Sequence, residues 1–120
     1  MSSFTEDLEV KLIGGEGVLL KEFTYYEKFG GIKITVPKGF KTDFATVPPL
    51  FQVFFPVIGR YNKAAILHDY LYESDSIPSL KRKKADKIFL NAMKILRVGF
   101  IRRNLMYLAV RLFGGRGFHD

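Results

Sequence analysis

The side chains best suited to chemistry lie within one short stretch of the sequence. His68 and Tyr72 are four residues apart, so a helix would place them on one face, with Asp69 about 100° away from His68. Asp86 follows in a second helical pattern and reaches both if the two helices pack antiparallel. The chemistry would be a His68 base acting on water, Asp86 fixing its tautomer, and Asp69 as an oxygen ligand for a divalent cation.

The same residues also permit a structural interpretation. A buried His–Asp–Tyr network that only ties two helices together would have an identical sequence pattern. Asp43, in a proline-rich segment, is a second candidate ligand for a cation shared with Asp69, although an aspartate in such a loop commonly caps a turn. The sequence leaves both interpretations open.

Positive charge is concentrated in the last third of the chain. Residues 1–80 carry 8 Lys/Arg and 10 Asp/Glu, a net −2, whereas residues 81–120 carry 11 and 2, a net +9. The expected partner there is anionic, namely a lipid or membrane surface or a nucleic acid. Solvated cations without a partner are the simpler alternative. The candidate residues for binding an anion or a surface are Lys81, Arg82, Lys83, Lys84, Arg102 and Arg103.

Length and composition exclude several classes of protein. The 120 residues suit a single domain, and an apolar content of 48% is enough for a core. The absence of cysteine excludes disulfides, zinc–thiolate sites and thiol nucleophiles. The polar, acidic N-terminus predicts no secretory signal, and no apolar run approaches the roughly 20 residues of a transmembrane helix.

The patterning predicts an α+β fold. Alternating residues at 8–12, 18–26 and 32–36 predict a three-stranded antiparallel meander within residues 1–37. Residues 38–60, which include Pro48-Pro49, predict a long ordered loop. Residues 61–113 predict three helices.

The ends of these helices have recognisable signals. Asn62 is expected to cap the first helix and Ser79 the second, which Gly99 would end, and the third spans about 101–113. One side of the third helix is apolar and lies beside Arg102, Arg103 and Arg111. That pattern is typical either of a helix on a membrane surface or of a core helix with a wet face. The apolar residues concerned are Ile101, Leu105, Leu108 and Leu112.

The first two predicted helices resemble the core helices of secreted and bacterial phospholipase A2. The shared pattern is HDxxY at residues 68–72 followed by Ala-Asp at 85–86, within residues 59–94. The resemblance implies catalytic roles for His68, Asp86 and Tyr72, a calcium ion bound by Asp69, and a lipid ester as substrate. The chain departs from that family at Ala65, which stands at a disulfide position, and in lacking the glycine-rich calcium loop.

Several motifs across residues 32–115 resemble the phage-associated domain of unknown function 1353. They are the run ITVPKGFKTDFATVP at 34–48, the HDYLY run at 68–72, Ala85-Asp86 and the run 106–111. This resemblance implies a bacteriophage or prophage gene product, found in the host bacterial cytoplasm or in the virion. It implies no settled activity.

Three functions are therefore compatible with the sequence. The leading one is a phage-encoded, metal-assisted, phospholipase-like ester hydrolase or a degenerate relative, with an anionic lipid ester as substrate. The first alternative is a non-enzymatic phage protein, either a virion or tail component or a protein that binds a host factor. The second is nucleic-acid binding through the basic last third, which contains no recognisable reading motif.

Overall fold

Six strands precede three helices in the part of the chain that the structure describes. The computed structural model describes residues 3–4, 8–13, 16–28, 31–42, 62–73 and 76–113. The strands are β1 Ser3–Phe4, β2 Val10–Ile13, β3 Glu16–Leu19, β4 Phe23–Glu27, β5 Ile32–Val36 and β6 Lys41–Thr42. The helices are α1 Asn62–Tyr72, α2 Arg82–Ile95 and α3 Phe100–Phe113. The predicted α+β class is confirmed.

The strands form two small antiparallel sheets, with orders β1-β4-β5 and β2-β3-β6. The prediction of one three-stranded meander was wrong, because residues 18–26 form two strands that belong to different sheets. Lys21 and Glu22 lie between β3 and β4 and are both exposed, so the chain leaves β3 before it enters β4. The backbone of Leu19 is instead hydrogen-bonded to Gly39 and Phe40, which brings β6 alongside β3.

The predicted loop over residues 38–60 contains a strand at its start. Gly39 has φ +89°, a conformation that side chains disfavour, and it turns the chain so that Lys41 and Thr42 pair with β3. The loop prediction is therefore wrong at these two residues. Residues 43–61, and with them Asp43, lie outside the described part of the chain.

The core lies between the helices and the β1-β4-β5 sheet, which we call the larger sheet because its strands contain more residues than those of the β2-β3-β6 sheet. Alternate residues of β4 and β5 point inward, and the apolar faces of α1 and α2 pack in the same cluster. Packing of α1 on α2 and of α2 on α3 completes the helical part. The completely buried side chains include Phe23, Tyr25, Ile34, Val36, Leu67, Leu71, Ile88 and Met93.

The helices begin and end close to the predicted residues. Helix α1 begins at Asn62 itself, and the capping role expected of its side chain stays a prediction. Ser79 does not cap α2, because the first helical bond runs from the Ala85 N–H to the Lys81 carbonyl, and Lys81 is the N-cap without a side-chain bond. This helix ends at Ile95 rather than at Gly99, since Arg97 adopts φ 61°.

The apolar side of α3 that the sequence predicted faces outward. Ile101, Leu105, Leu108 and Leu112 do share one side of α3, but they are 39–74% exposed, while Met106 and Ala109 face the core. The apolar side seen in the sequence is thus an outer surface. None of the helices in the described ranges combines the length and apolarity needed to cross a membrane.

Candidate functional site

Helix α1 carries two of the predicted site residues on its buried side. Its sequence NKAAILHDYLY contains no glycine or proline and a single β-branched residue, so a helix forms readily. His68 and Tyr72 are one turn apart, 4% and 7% exposed, with their ring centroids 4.2 Å apart. Phe89 of α2 packs against the imidazole at 4.7 Å. Two aromatic rings, those of Tyr72 and Phe89, therefore hold the imidazole in one orientation.

Asp86 of α2 is the centre of the site and is completely buried. Its Oδ1 lies 2.6 Å from His68 Nε2 and also accepts a hydrogen bond from the Tyr72 hydroxyl. Its Oδ2 accepts a 2.7 Å hydrogen bond from Arg111 Nη1 of α3. The predicted contacts of Asp86 with His68 and Tyr72 are present, and their catalytic roles stay predictions.

Sequence reasoning missed Arg111 as a member of the site. Arg111 lies 25 residues after Asp86, on a helix whose position relative to α2 no local pattern shows. The only available signal was charge, since Asp86 is one of two acids among residues 81–120 and a buried carboxylate needs a cation. That signal did not distinguish Arg111 from the ten other cations of the segment.

The three hydrogen bonds keep Asp86 ionised. Burial by itself would raise the pKa of Asp86, but the hydrogen bonds from His68, Tyr72 and Arg111 outweigh it and hold the pKa below its ordinary value. Burial and the bond to Asp86 raise the pKa of Tyr72. The bond to Asp86 raises the pKa of Arg111. At neutral pH the cluster therefore contains a carboxylate, a neutral phenol and a guanidinium.

An ionised Asp86 determines the tautomer of His68. A carboxylate only accepts hydrogen bonds, so the Nε2 atom that faces it must carry the hydrogen. In the neutral ring the lone pair then belongs to Nδ1. No described residue forms a hydrogen bond with Nδ1. The ring thus presents its basic nitrogen away from Asp86.

Asp69 lies beside this cluster, on the side of β6. Its Oδ2 accepts a hydrogen bond from the hydroxyl of Thr42 in β6. This bond links α1 to the smaller sheet. Within the described ranges, no three His, Cys, Asp or Glu side chains converge as metal ligands. Ca²⁺ takes six to eight oxygen ligands, which include backbone carbonyls and waters as well as carboxylates, and the calcium-binding role of Asp69 stays a prediction. The second predicted ligand, Asp43, is outside those ranges.

The predicted anion-binding side chains fall into two groups. Arg82 and Arg103 are half-buried, and both donate to backbone carbonyls: Arg82 Nη2 to those of residues 110 and 111, and Arg103 to that of residue 98. Arg82 therefore links α2 to the end of α3, and Arg103 ties the first turn of α3 to the connection that precedes it. The exposed group, free to face a partner, consists of Lys81, Lys83, Lys84 and Arg102.

The fold and the site define an α+β protein with a buried His–Asp pair at the junction of three helices. The family model described as protein of unknown function (DUF1353) matches residues 18–110, and the chain belongs to that family. The matched segment contains His68, Tyr72 and Asp86 and ends one residue before Arg111. Comparison with curated proteins and with solved structures gives no match.

Proposed function

We propose that the protein is an ester hydrolase in which His68 and Asp86 activate a water molecule, acting on esters of anionic lipids. The observation that carries this is the contact of Asp86 with Nε2 of His68, which leaves Nδ1 as the basic nitrogen. A buried imidazole that a carboxylate holds in one orientation is a common general base in enzymes. The phage origin implied by the sequence resemblance is part of the same proposal.

The chemical step needs only a water and the ester. Nδ1 of His68 takes one proton from the water while the water oxygen forms a bond with the ester carbonyl carbon. When the tetrahedral intermediate collapses, the acyl carbon–oxygen bond breaks and the imidazolium returns the proton to the departing alcohol oxygen. The products are a carboxylic acid and an alcohol, and His68 is restored.

Asp86 and Arg111 would adjust the charge during this step. Asp86 stabilises the imidazolium that forms, because its Oδ1 is 2.6 Å from Nε2. In the resting state Arg111 already balances the buried carboxylate, so His68 need not be charged to do so.

His68→Gln is the decisive variant. The Gln side-chain amide can still donate to Asp86 but cannot act as a base, so hydrolysis should fall about a hundredfold or more while the fold is retained. The assay is fatty-acid release from vesicles of phosphatidylglycerol and phosphatidylcholine in equal parts, with calcium and with a chelator. His119→Gln is the matched control, because it makes the same chemical change at the other histidine of the chain.

A specific observation also favours a second candidate, a non-enzymatic protein in which the cluster only ties helices together. Asp86 connects all three helices, through His68 and Tyr72 of α1 and Arg111 of α3. In that case no ester would be hydrolysed, either with calcium or with the chelator. His68→Ala would only lower the free energy of unfolding, by about 1–3 kcal/mol. Hydrolysis that His68→Gln leaves unchanged would also contradict the proposed mechanism.

A further inference from the structure

Helix α3 has an apolar surface that faces outward. Ile101, Leu105, Leu108 and Leu112 follow the spacing i, i+4, i+7, i+11 and are 74%, 39%, 52% and 64% exposed. We call these four residues the α3 stripe. Soluble proteins expose single apolar residues routinely, but a contiguous row of four large ones usually marks a contact surface.

The stripe is not the result of a loosely attached helix. The opposite side of α3 packs into the core through Met106 and Ala109, which are almost completely buried. Arg111 binds Asp86, and Arg82 of α2 binds the last carbonyls of α3. The helix is therefore anchored along its length, and its outer side stays apolar.

The surroundings of the stripe are positively charged. Arg102 is exposed next to Ile101, and Lys94 and Arg97 are exposed just before α3 begins. From Lys87 to His119 the sequence contains no Asp or Glu. A partner that fits this surface must offer both apolar atoms and negative charge.

We infer that the α3 stripe docks the protein on the surface of an anionic phospholipid bilayer. Two contacts hold interfacial helices on such membranes. Apolar side chains enter the boundary of the acyl chains, and cationic side chains bind the anionic headgroups. A second copy of the chain would bring two cationic surfaces together. A nucleic acid would use the cations but would leave the stripe facing phosphates.

Docking through the α3 stripe specifies where on the protein a lipid substrate would bind. In this respect the inference rests on the proposed function. Arg111 places α3 directly against Asp86, so docking would bring headgroups within about one helix diameter, 10–12 Å, of the His–Asp pair. Membrane binding itself requires no catalysis. Docking and hydrolysis are therefore separable by experiment.

The test measures vesicle binding by the chain carrying His68→Gln, so that lipids stay intact. The probes are vesicles of phosphatidylglycerol and phosphatidylcholine in equal parts, and of phosphatidylcholine alone. Binding should require phosphatidylglycerol and weaken with salt. Ile101→Glu with Leu108→Glu should lower the affinity about tenfold or more, and Arg102→Ala about fivefold.

The chain offers a closely matched control. Ile77 and Leu20 are 76% and 47% exposed, close to Ile101 and Leu108, but lie outside α3. Ile77→Glu with Leu20→Glu adds the same two charges and should leave binding near that of the parent. Retained circular dichroism would show that both double variants are folded.

Several results would overturn the inference. They are no vesicle binding at low salt, equal loss in both double variants, or unchanged binding in the α3 variant. A dimer that only the α3 variant dissociates would assign the stripe to a second copy, and duplex DNA binding without vesicle binding would assign the charge to nucleic acid. Vesicle binding without any hydrolysis by the unsubstituted chain would reject the proposed function and leave docking intact.

Discussion

Asp86 shows how a single charge is accommodated inside a small protein. A completely buried carboxylate is costly unless it is paired and hydrogen-bonded, and here both oxygens have donors. One donor, Arg111, is a cation, and Nε of a second cation, Arg82, lies 3.9 Å from the same Oδ2. His68 and Tyr72 are hydrogen-bonded to Oδ1. The residue therefore contributes to stability whether or not the site is catalytic.

The pH dependence of stability should report this carboxylate. Since folding lowers the pKa of Asp86, its contribution is complete above the unfolded value of about 4 and is lost as the pH falls through the folded pKa. Asp86→Asn should lower the free energy of unfolding by about 3 kcal/mol at neutral pH. Urea titrations from neutral pH downward should show that difference shrinking below about pH 4.

The control for this comparison is Glu9→Gln, which removes a carboxylate at an exposed position. It should follow the parent protein at every pH. A difference between the parent and Asp86→Asn that stayed constant into strong acid would contradict the assignment of Asp86 as the responsible group.

At the scale of elements, α3 is positioned by side chains of α2 as much as by apolar packing. Arg82 Nη2 donates to the carbonyls of Val110 and Arg111, at 2.7 and 2.6 Å, and these belong to the last turn of α3. A cation at a helix C-terminus satisfies orphan carbonyls and opposes the macrodipole. Through this contact α2 holds both the end of α3 and, indirectly, Arg111 beside Asp86.

Arg82→Ala should therefore loosen the last turn of α3. We expect about 2 kcal/mol of destabilisation, because two charge-assisted hydrogen bonds are lost. Amide hydrogen exchange should accelerate over residues 108–113 more than in α1. Lys83→Ala removes an exposed neighbouring cation and should change neither quantity. Equal effects of the two substitutions would show that Arg82 acts only through net charge.

At the scale of the whole molecule, a polar contact joins the larger sheet to the helices. Glu27 of β4 is 3% exposed, and its carboxylate accepts hydrogen bonds from the Tyr25 hydroxyl at 2.9 Å and from the Asn91 amide of α2 at 3.2 Å. Apolar packing around Phe23 and Ile34 supplies most of the burial. The Glu27–Asn91 contact adds a directional link between two otherwise apolar surfaces.

Asn91→Ala should destabilise the sheet and the helices together. We expect a loss of about 1.5 kcal/mol from the bond to the buried carboxylate, measured by urea unfolding. Asn104→Ala is the control, since its amide only binds the Phe100 carbonyl on the exposed part of α3, and it corrects for the higher helix propensity of alanine. Destabilisation of both variants by the same amount would contradict a special role for Asn91.

The sequence by itself determined the parts of this protein that depend on local periodicity. Helical spacing predicted three helices and placed His68 and Tyr72 on one face, and the register of Asp86 on the second helix predicted the contact that the structure contains. Family membership also followed from motifs along the chain. The helices depend on residues only a few positions apart, and the contacts of Asp86 with His68 and Tyr72 depend on two neighbouring helices.

Only the tertiary structure decided the rest, because those features depend on contacts between distant segments. Hydrogen bonds of Leu19 with residues 39 and 40 divide the strands between two sheets. Arg111 joins the site because α3 packs beside α2, and the same packing turns Leu108 outward and Met106 inward. Periodicity shows that an apolar stripe exists, but which side of a helix is covered depends on where the other elements lie.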